Sequence, residues 1–144
     1  MSTLTNVLER NVAEIENNAD MTEGRFRLGH HLMPPAGWLN DPNGLCWYKG
    51  RYHVFFQYAP FDVEGGLKFW GHYTSEDLVD WKYEGTALYP DSPYDCHGVY
   101  SGSALVEAEK LHLFFTGNVK IDGDYDYINE GRETSTLHVE SEDG

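Results

Sequence analysis

Two cysteines in 144 residues, Cys46 and Cys96, with no Cys-x-x-Cys spacing, are too few for a disulfide framework or a thiolate metal site. Both are expected to be reduced and structural. Basic residues are scarce as well: Lys and Arg number 10 against 24 Asp and Glu, a net charge of −14. They are scattered singly and form no basic patch along the chain, which excludes nucleic acid and anionic membrane surfaces as partners. No apolar run approaches the roughly 18 residues that a membrane span requires. The first thirty residues lack a basic start followed by an apolar core, and no Asn-x-Ser/Thr site occurs, so the expected location is the cytoplasm. What remains is 40% hydrophobic and 15% aromatic, a composition able to build a core. Acid crowds toward the end, where Ile121 to Gly144 hold eight Asp/Glu against Arg132 alone.

Leu4, Val7, Leu8, Val12 and Ile15 recur at helical spacing and predict a helix over Leu4–Asn18, with Ser2 or Thr3 available as a cap. After Gly24 the period changes to two. Tyr52, Val54, Phe56 and Tyr58 alternate with Arg51, His53, Phe55 and Gln57, and Leu111, Leu113 and Phe115 repeat the pattern. The expected organisation is a helical extension over residues 1–24 and an all-β region over residues 25–144. That region is internally repetitive. His53-Val54-Phe55-Phe56 returns as His112-Leu113-Phe114-Phe115, and His72 to Asp77 returns in the same order as His138 to Asp143. A short apolar strand precedes each copy (Leu45–Tyr48, then Ala104–Val106), and Trp81–Leu88 supplies a fourth strand to the first. A period of about 60 residues carrying several strands is the mark of β-propeller blades. A ring needs typically 4–8 blades, whereas this chain supplies one full blade and most of a second. It is therefore expected to be the front part of a larger protein.

The densest chemistry lies in Trp38-Leu39-Asn40-Asp41-Pro42-Asn43-Gly44. Asp41 to Gly44 read as a type I turn, with Pro fixing the second position and Gly ending it. An aromatic and an amide precede the carboxylate, just ahead of the first blade strand, so Asp41 is expected near the mouth of the propeller's central channel. This segment resembles the nucleophile motif of glycoside hydrolase family 32, which holds invertases and sucrose-6-phosphate hydrolases. Phe55-Phe56-Gln57-Tyr58 resembles that family's aromatic strand with its sugar-binding Gln. Phe69-Trp70-Gly71-His72 resembles its Trp-Gly-His segment, Tyr100-Ser101-Gly102-Ser103-Ala104 its aromatic-Ser-Gly-Ser-Ala motif, and Phe115-Thr116-Gly117 its Phe-Thr-Gly. The resemblance runs from about His30 to Gly144.

It implies a five-bladed propeller and hydrolysis of terminal non-reducing β-D-fructofuranosides, with sucrose or sucrose 6-phosphate as substrate and no cofactor. A retaining glycosidase sets two carboxyl groups about 5–5.5 Å apart across the scissile bond. By resemblance Asp41 is the nucleophile, while Trp38, Leu39, Asn40, Gln57, Trp70, Tyr100 and Ser101 bind substrate. Amides there can bond sugar hydroxyls, and aromatic faces can wall the pocket. The family's stabilising Asp (in Arg-Asp-Pro) and acid/base Glu (in Glu-Cys) do not occur in this chain, so the 144 residues alone are expected to be inactive. A non-catalytic sugar-binding propeller piece and an inactive truncated product remain the alternatives. Asp122, Asp124, Asp126 and Glu133 have the spacing of a calcium loop, but Tyr127 stands where a Gly is needed, which points to a solvated acidic loop. The histidines show no metal spacing and read as strand residues; no metal is expected.

Overall fold

The computed structural model describes residues 3–19, 26–28 and 30–144. Ser2 and the expected boundary at Gly24 lie outside them. Helix α1 covers Thr3–Asn18, and seven strands follow: β1 (Trp38–Tyr48), β2 (Arg51–Ala59), β3 (Phe69–Ser75), β4 (Trp81–Leu88), β5 (Val99–Glu107), β6 (Lys110–Lys120) and β7 (Arg132–Ser141). They form two antiparallel sheets, ordered β1-β2-β3-β4 and β5-β6-β7, which fit two neighbouring propeller blades.

The sequence repeat is a repeat of register. His53 pairs with Thr74 and Phe55 with His72 in the first sheet; in the second, His112 pairs with Glu140 and Phe114 with His138. Each repeated residue thus occupies the same rung in its blade. Alternation along β2 and β3 gives the first sheet two apolar faces. One carries Tyr48, Phe55 and Trp70 against Val99, Leu111, Leu113 and Phe115 of the second sheet. The other carries Phe56, Tyr58, Phe69 and Tyr73 against Val12 of α1. Burying one such aromatic side chain contributes about 1.5–3 kcal/mol, so the central strands β2 and β3 anchor both layers. Tyr48 also ties the blades together: its hydroxyl lies 2.8 Å from the Glu109 carbonyl and 3.0 Å from that of Glu142.

The expected turn at Asp41–Gly44 is instead part of β1. The register steps from Asn40↔Gln57 to Pro42↔Phe56, so Asp41 is an extra residue with no rung of its own, and a second irregularity lies between Asn43 and Cys46. Pro and Gly here serve a doubly bulged strand, not a chain reversal, because the hydrogen-bonding partner β2 continues past them on both sides. Both cysteines are free thiols, and burial pushes the Cys46 thiol up to about 11.

Candidate active site

The residues singled out from the sequence come together at one end of the two sheets, where β1, β3 and β5 begin and β2 ends. Register explains why. Asn40, Gln57 and Trp70 are successive Cα partners across β1, β2 and β3, so they form a row on the face that meets the second blade. The bulge beside that row aims Asp41 outward, the usual use of an extra residue beside a site. There Asp41 Oδ2 accepts a 2.9 Å hydrogen bond from Ser101 Oγ, contributed by β5 of the other blade. Asn43 Nδ2 donates to the Asp41 carbonyl at 3.0 Å, and its buried Oδ1 has no partner among the described residues. Asp41 itself is exposed.

Two expected residues have different places. Trp70 is fully buried, edge-on to Phe115 with ring centroids 6.0 Å apart. It cannot wall a sugar pocket, because no part of its face reaches solvent. Its Nε1–H donates to the Tyr100 carbonyl at 3.2 Å, which makes it a support for β5 beside the site. Leu39 is partly buried and packs against the opposite cluster, which holds Phe56, Tyr58, Phe69 and Tyr73. Trp38 and Tyr100 remain half-exposed, and Gln57 is buried in the row.

Three cations that sequence order keeps apart also reach this end. Lys68 Nζ lies 4.2 Å from the centre of the Trp38 ring, and the Arg132 guanidinium lies 5.5 Å from that of Tyr100. Lys120 faces Arg132 across the β6–β7 ladder. Three of the lysines and arginines that stand singly in the sequence are therefore neighbours in space. No local signal could show this, since only strand register brings positions 68, 120 and 132 to one rim.

Among the described residues, His112, His138 and Glu140 are the group able to approach a metal, with ligand atoms within 4.8 Å of one another. Each already has a partner: His112 Nδ1 and His138 Nε2 lie 3.0 Å apart, and Lys110 Nζ donates to Glu140 at 2.8 Å. The acidic loop is held by Asp126, whose carboxylate accepts from the backbone of Ile128 and Asn129 at 2.8 Å each and is held down at about 2 by those bonds. Glu133 belongs to β7. A cleft of about 780 Å³ between the blades, lined by Tyr48, His53, His72 and Val139, contains none of the expected site residues.

Comparison with known proteins identifies the family. The profile of the glycosyl hydrolases family 32 N-terminal domain matches residues 31–142. The chain is 52% identical over 119 residues to a sucrose-6-phosphate hydrolase of Bacillus subtilis, covering 82% of this chain and 23% of that protein. Among solved structures, the Bombyx mori GH32 beta-fructofuranosidase superposes with a TM-score of 0.82 at 34% identity, over 96% of this chain and 28% of that one. A sucrose-6-phosphate hydrolase from Lactobacillus gasseri gives 0.76 at 37% identity, over 91% and 25%. The chain spans about a fifth of the length of the curated relatives it matches. With the profile covering most of its length, and its bulged Trp-Leu-Asn-Asp-Pro-Asn-Gly strand at the junction of two blades, the chain belongs to glycoside hydrolase family 32.

Proposed function

We propose that the whole protein hydrolyses terminal non-reducing β-D-fructofuranosyl bonds, of sucrose or sucrose 6-phosphate, by a retaining double displacement with Asp41 as nucleophile. The observation that carries this reading is the aim of Asp41: it is the unpaired residue of a bulge, exposed, and oriented by Ser101 of the next blade. In the first step its carboxylate oxygen forms an ester to the anomeric carbon as the C–O bond to the leaving sugar breaks. Water then cleaves that ester with the same net stereochemistry as the substrate. Asn40 and Gln57, neighbours in the row, supply amide donors and acceptors for fructosyl hydroxyls, and Trp38 and Tyr100 supply the apolar walls. Relatives named sucrose-6-phosphate hydrolase, and a variant of the silkworm enzyme in complex with sucrose, support the substrate class.

The proton donor for the leaving oxygen is expected in a Glu-Cys motif in the rest of the protein. General acid catalysis contributes typically 10²–10⁴-fold, so the 144-residue chain alone is proposed to be inactive. The proposed ring has five blades, of which these are the first two. The cytoplasm is the proposed location, in keeping with two free thiols. No helix among the described residues is long and apolar enough to cross a membrane.

The test is Asp41→Asn in the whole protein. Turnover of sucrose and sucrose 6-phosphate is expected to fall by at least about 10³-fold while sugar binding, followed by calorimetry, persists. Retained turnover would refute the assignment.

A further inference from the structure

We propose that Lys68, Arg132 and Lys120 form the subsite that receives the phosphoryl group of a phosphorylated disaccharide, and so direct the site toward sucrose 6-phosphate over sucrose. This rests on the reading of Asp41 as the nucleophile.

Three observations carry it. The first is position. Lys68 immediately precedes β3, Lys120 ends β6 and Arg132 begins β7, so all three stand at the end of the sheets that holds Asp41. They are also linked to the site by contact. The Lys68 carbonyl accepts from Val99 N at 2.9 Å, next to Tyr100, whose ring lies under Arg132. The second is pairing. In a chain with 24 carboxylates to 10 Lys and Arg, cations normally find acid. Arg51, Lys82 and Lys110, outside this rim, do so at 3.5, 2.6 and 2.8 Å. Among the described residues, Lys68, Lys120 and Arg132 have no such ion pair, and Arg132 Nε is buried without a hydrogen-bond partner. Asp62 is the opposing charge that Lys68 feels, and Lys120 the like one. The third is how they are held. Lys68 lies on Trp38, Arg132 on Tyr100, and Lys120 Nζ lies 5.0 Å from the centre of the Tyr127 ring. An aromatic face fixes a cation without neutralising it.

Lys68 feels the Asp62 carboxylate as well as the like charge of Lys120, and with none of the three cations in an ion pair among the described residues, an anion entering among them finds all three available. A phosphoryl dianion suits the set: the planar guanidinium bonds two of its oxygens together, and the ammonium groups add point charges. In sucrose 6-phosphate the phosphate is carried by the glucosyl half, which is the leaving group. A rim beside the aromatic walls, not a pocket behind Asp41, is where such a group would stand.

The experiment compares Lys68→Met and Arg132→Gln with the unmodified whole protein. A charge-assisted hydrogen bond lost from one partner is worth a factor of about 10–100. Each variant is therefore expected to raise KM for sucrose 6-phosphate by about that factor while sucrose kinetics change less than about twofold. Equilibrium binding of glucose 6-phosphate, measured by calorimetry, should weaken in parallel. Equal losses on both sugars, or unchanged binding of glucose 6-phosphate, would overturn the subsite. If the unmodified protein turned over neither sugar, the reading of Asp41 would fall instead, and glucose 6-phosphate binding would still decide the role of the cations.

Discussion

Gly44 sets the shape of the strand that carries Asp41. Its φ of +56° lies in the left-handed region, and a Cβ there would come within 2.8 Å of the Phe55 ring, itself buried in the core. Gly44→Ala is therefore expected to destabilise the fold by about 1–3 kcal/mol, visible as a lower denaturant midpoint. Turnover should also fall, because the bulge that aims the carboxylate would have to shift. Trp70 acts on the other side of the site. Trp70→Phe keeps most of the buried ring but leaves the Tyr100 carbonyl without its donor, a loss of about 1–3 kcal/mol. Its signature should be weakened sugar binding together with a lower melting temperature; an unchanged melt would show that the indole N–H supports nothing. At this scale the sequence was informative about identity and misleading about conformation. Asp-Pro-Asn-Gly carries every local signal of a turn, and only the presence of β2 alongside, extending from Arg51 to Ala59, keeps it in a strand.

Among the elements, the repeated histidines separate two environments with one geometry. His53 Nδ1 and His72 Nε2 lie 3.0 Å apart, as do their counterparts His112 and His138. His53 Nε2 faces the Tyr48 carbonyl at 3.2 Å, so it carries the proton, and His72 Nε2–H donates to His53 Nδ1. In the first blade the pair is buried, with Phe55 stacked 4.2 Å from His72. Burial, reinforced by His53, holds the His72 imidazole down at about 4 from its ordinary 6.5, and burial also lowers His53. The unfolded chain takes up these protons as pH falls below about 6.5, whereas the folded chain resists until about pH 4. Stability is thus complete above pH 6.5 and declines between 6.5 and 4, by up to about 3 kcal/mol from His72. Urea titrations across that range should show the decline, and it should shrink in His72→Gln. The blade repeat was legible in the chain because side-chain period and repeat order are both linear properties. The gathering of Lys68, Lys120 and Arg132 was not, because it depends on register between strands far apart in sequence.

At the largest scale, the first sheet is covered on both faces, by the second sheet on one and by α1 on the other. Val12 of α1 is buried against the outer face of the first sheet, while Glu16 accepts from Tyr83 OH at 2.7 Å and from Thr86 Oγ1 at 3.1 Å. The amphipathic spacing of the helix announced a packing face, but which sheet it covers is a tertiary fact absent from the pattern. Val12→Ala should lower stability by about 1–3 kcal/mol without changing sugar binding, as Val12 packs on the face of the first sheet opposite the one that carries Trp70. The link between Asp41 and Ser101 gives the two-blade arrangement a kinetic meaning. The proposed nucleophile is rooted in one sheet and steadied from another, so its alignment gauges how tightly the seam between them is closed. Slight loosening of that seam by heat, mild denaturant or a distant core substitution should silence turnover while both sheets keep their backbone hydrogen bonds. Catalysis would then fade before the far-ultraviolet signal of strand structure does.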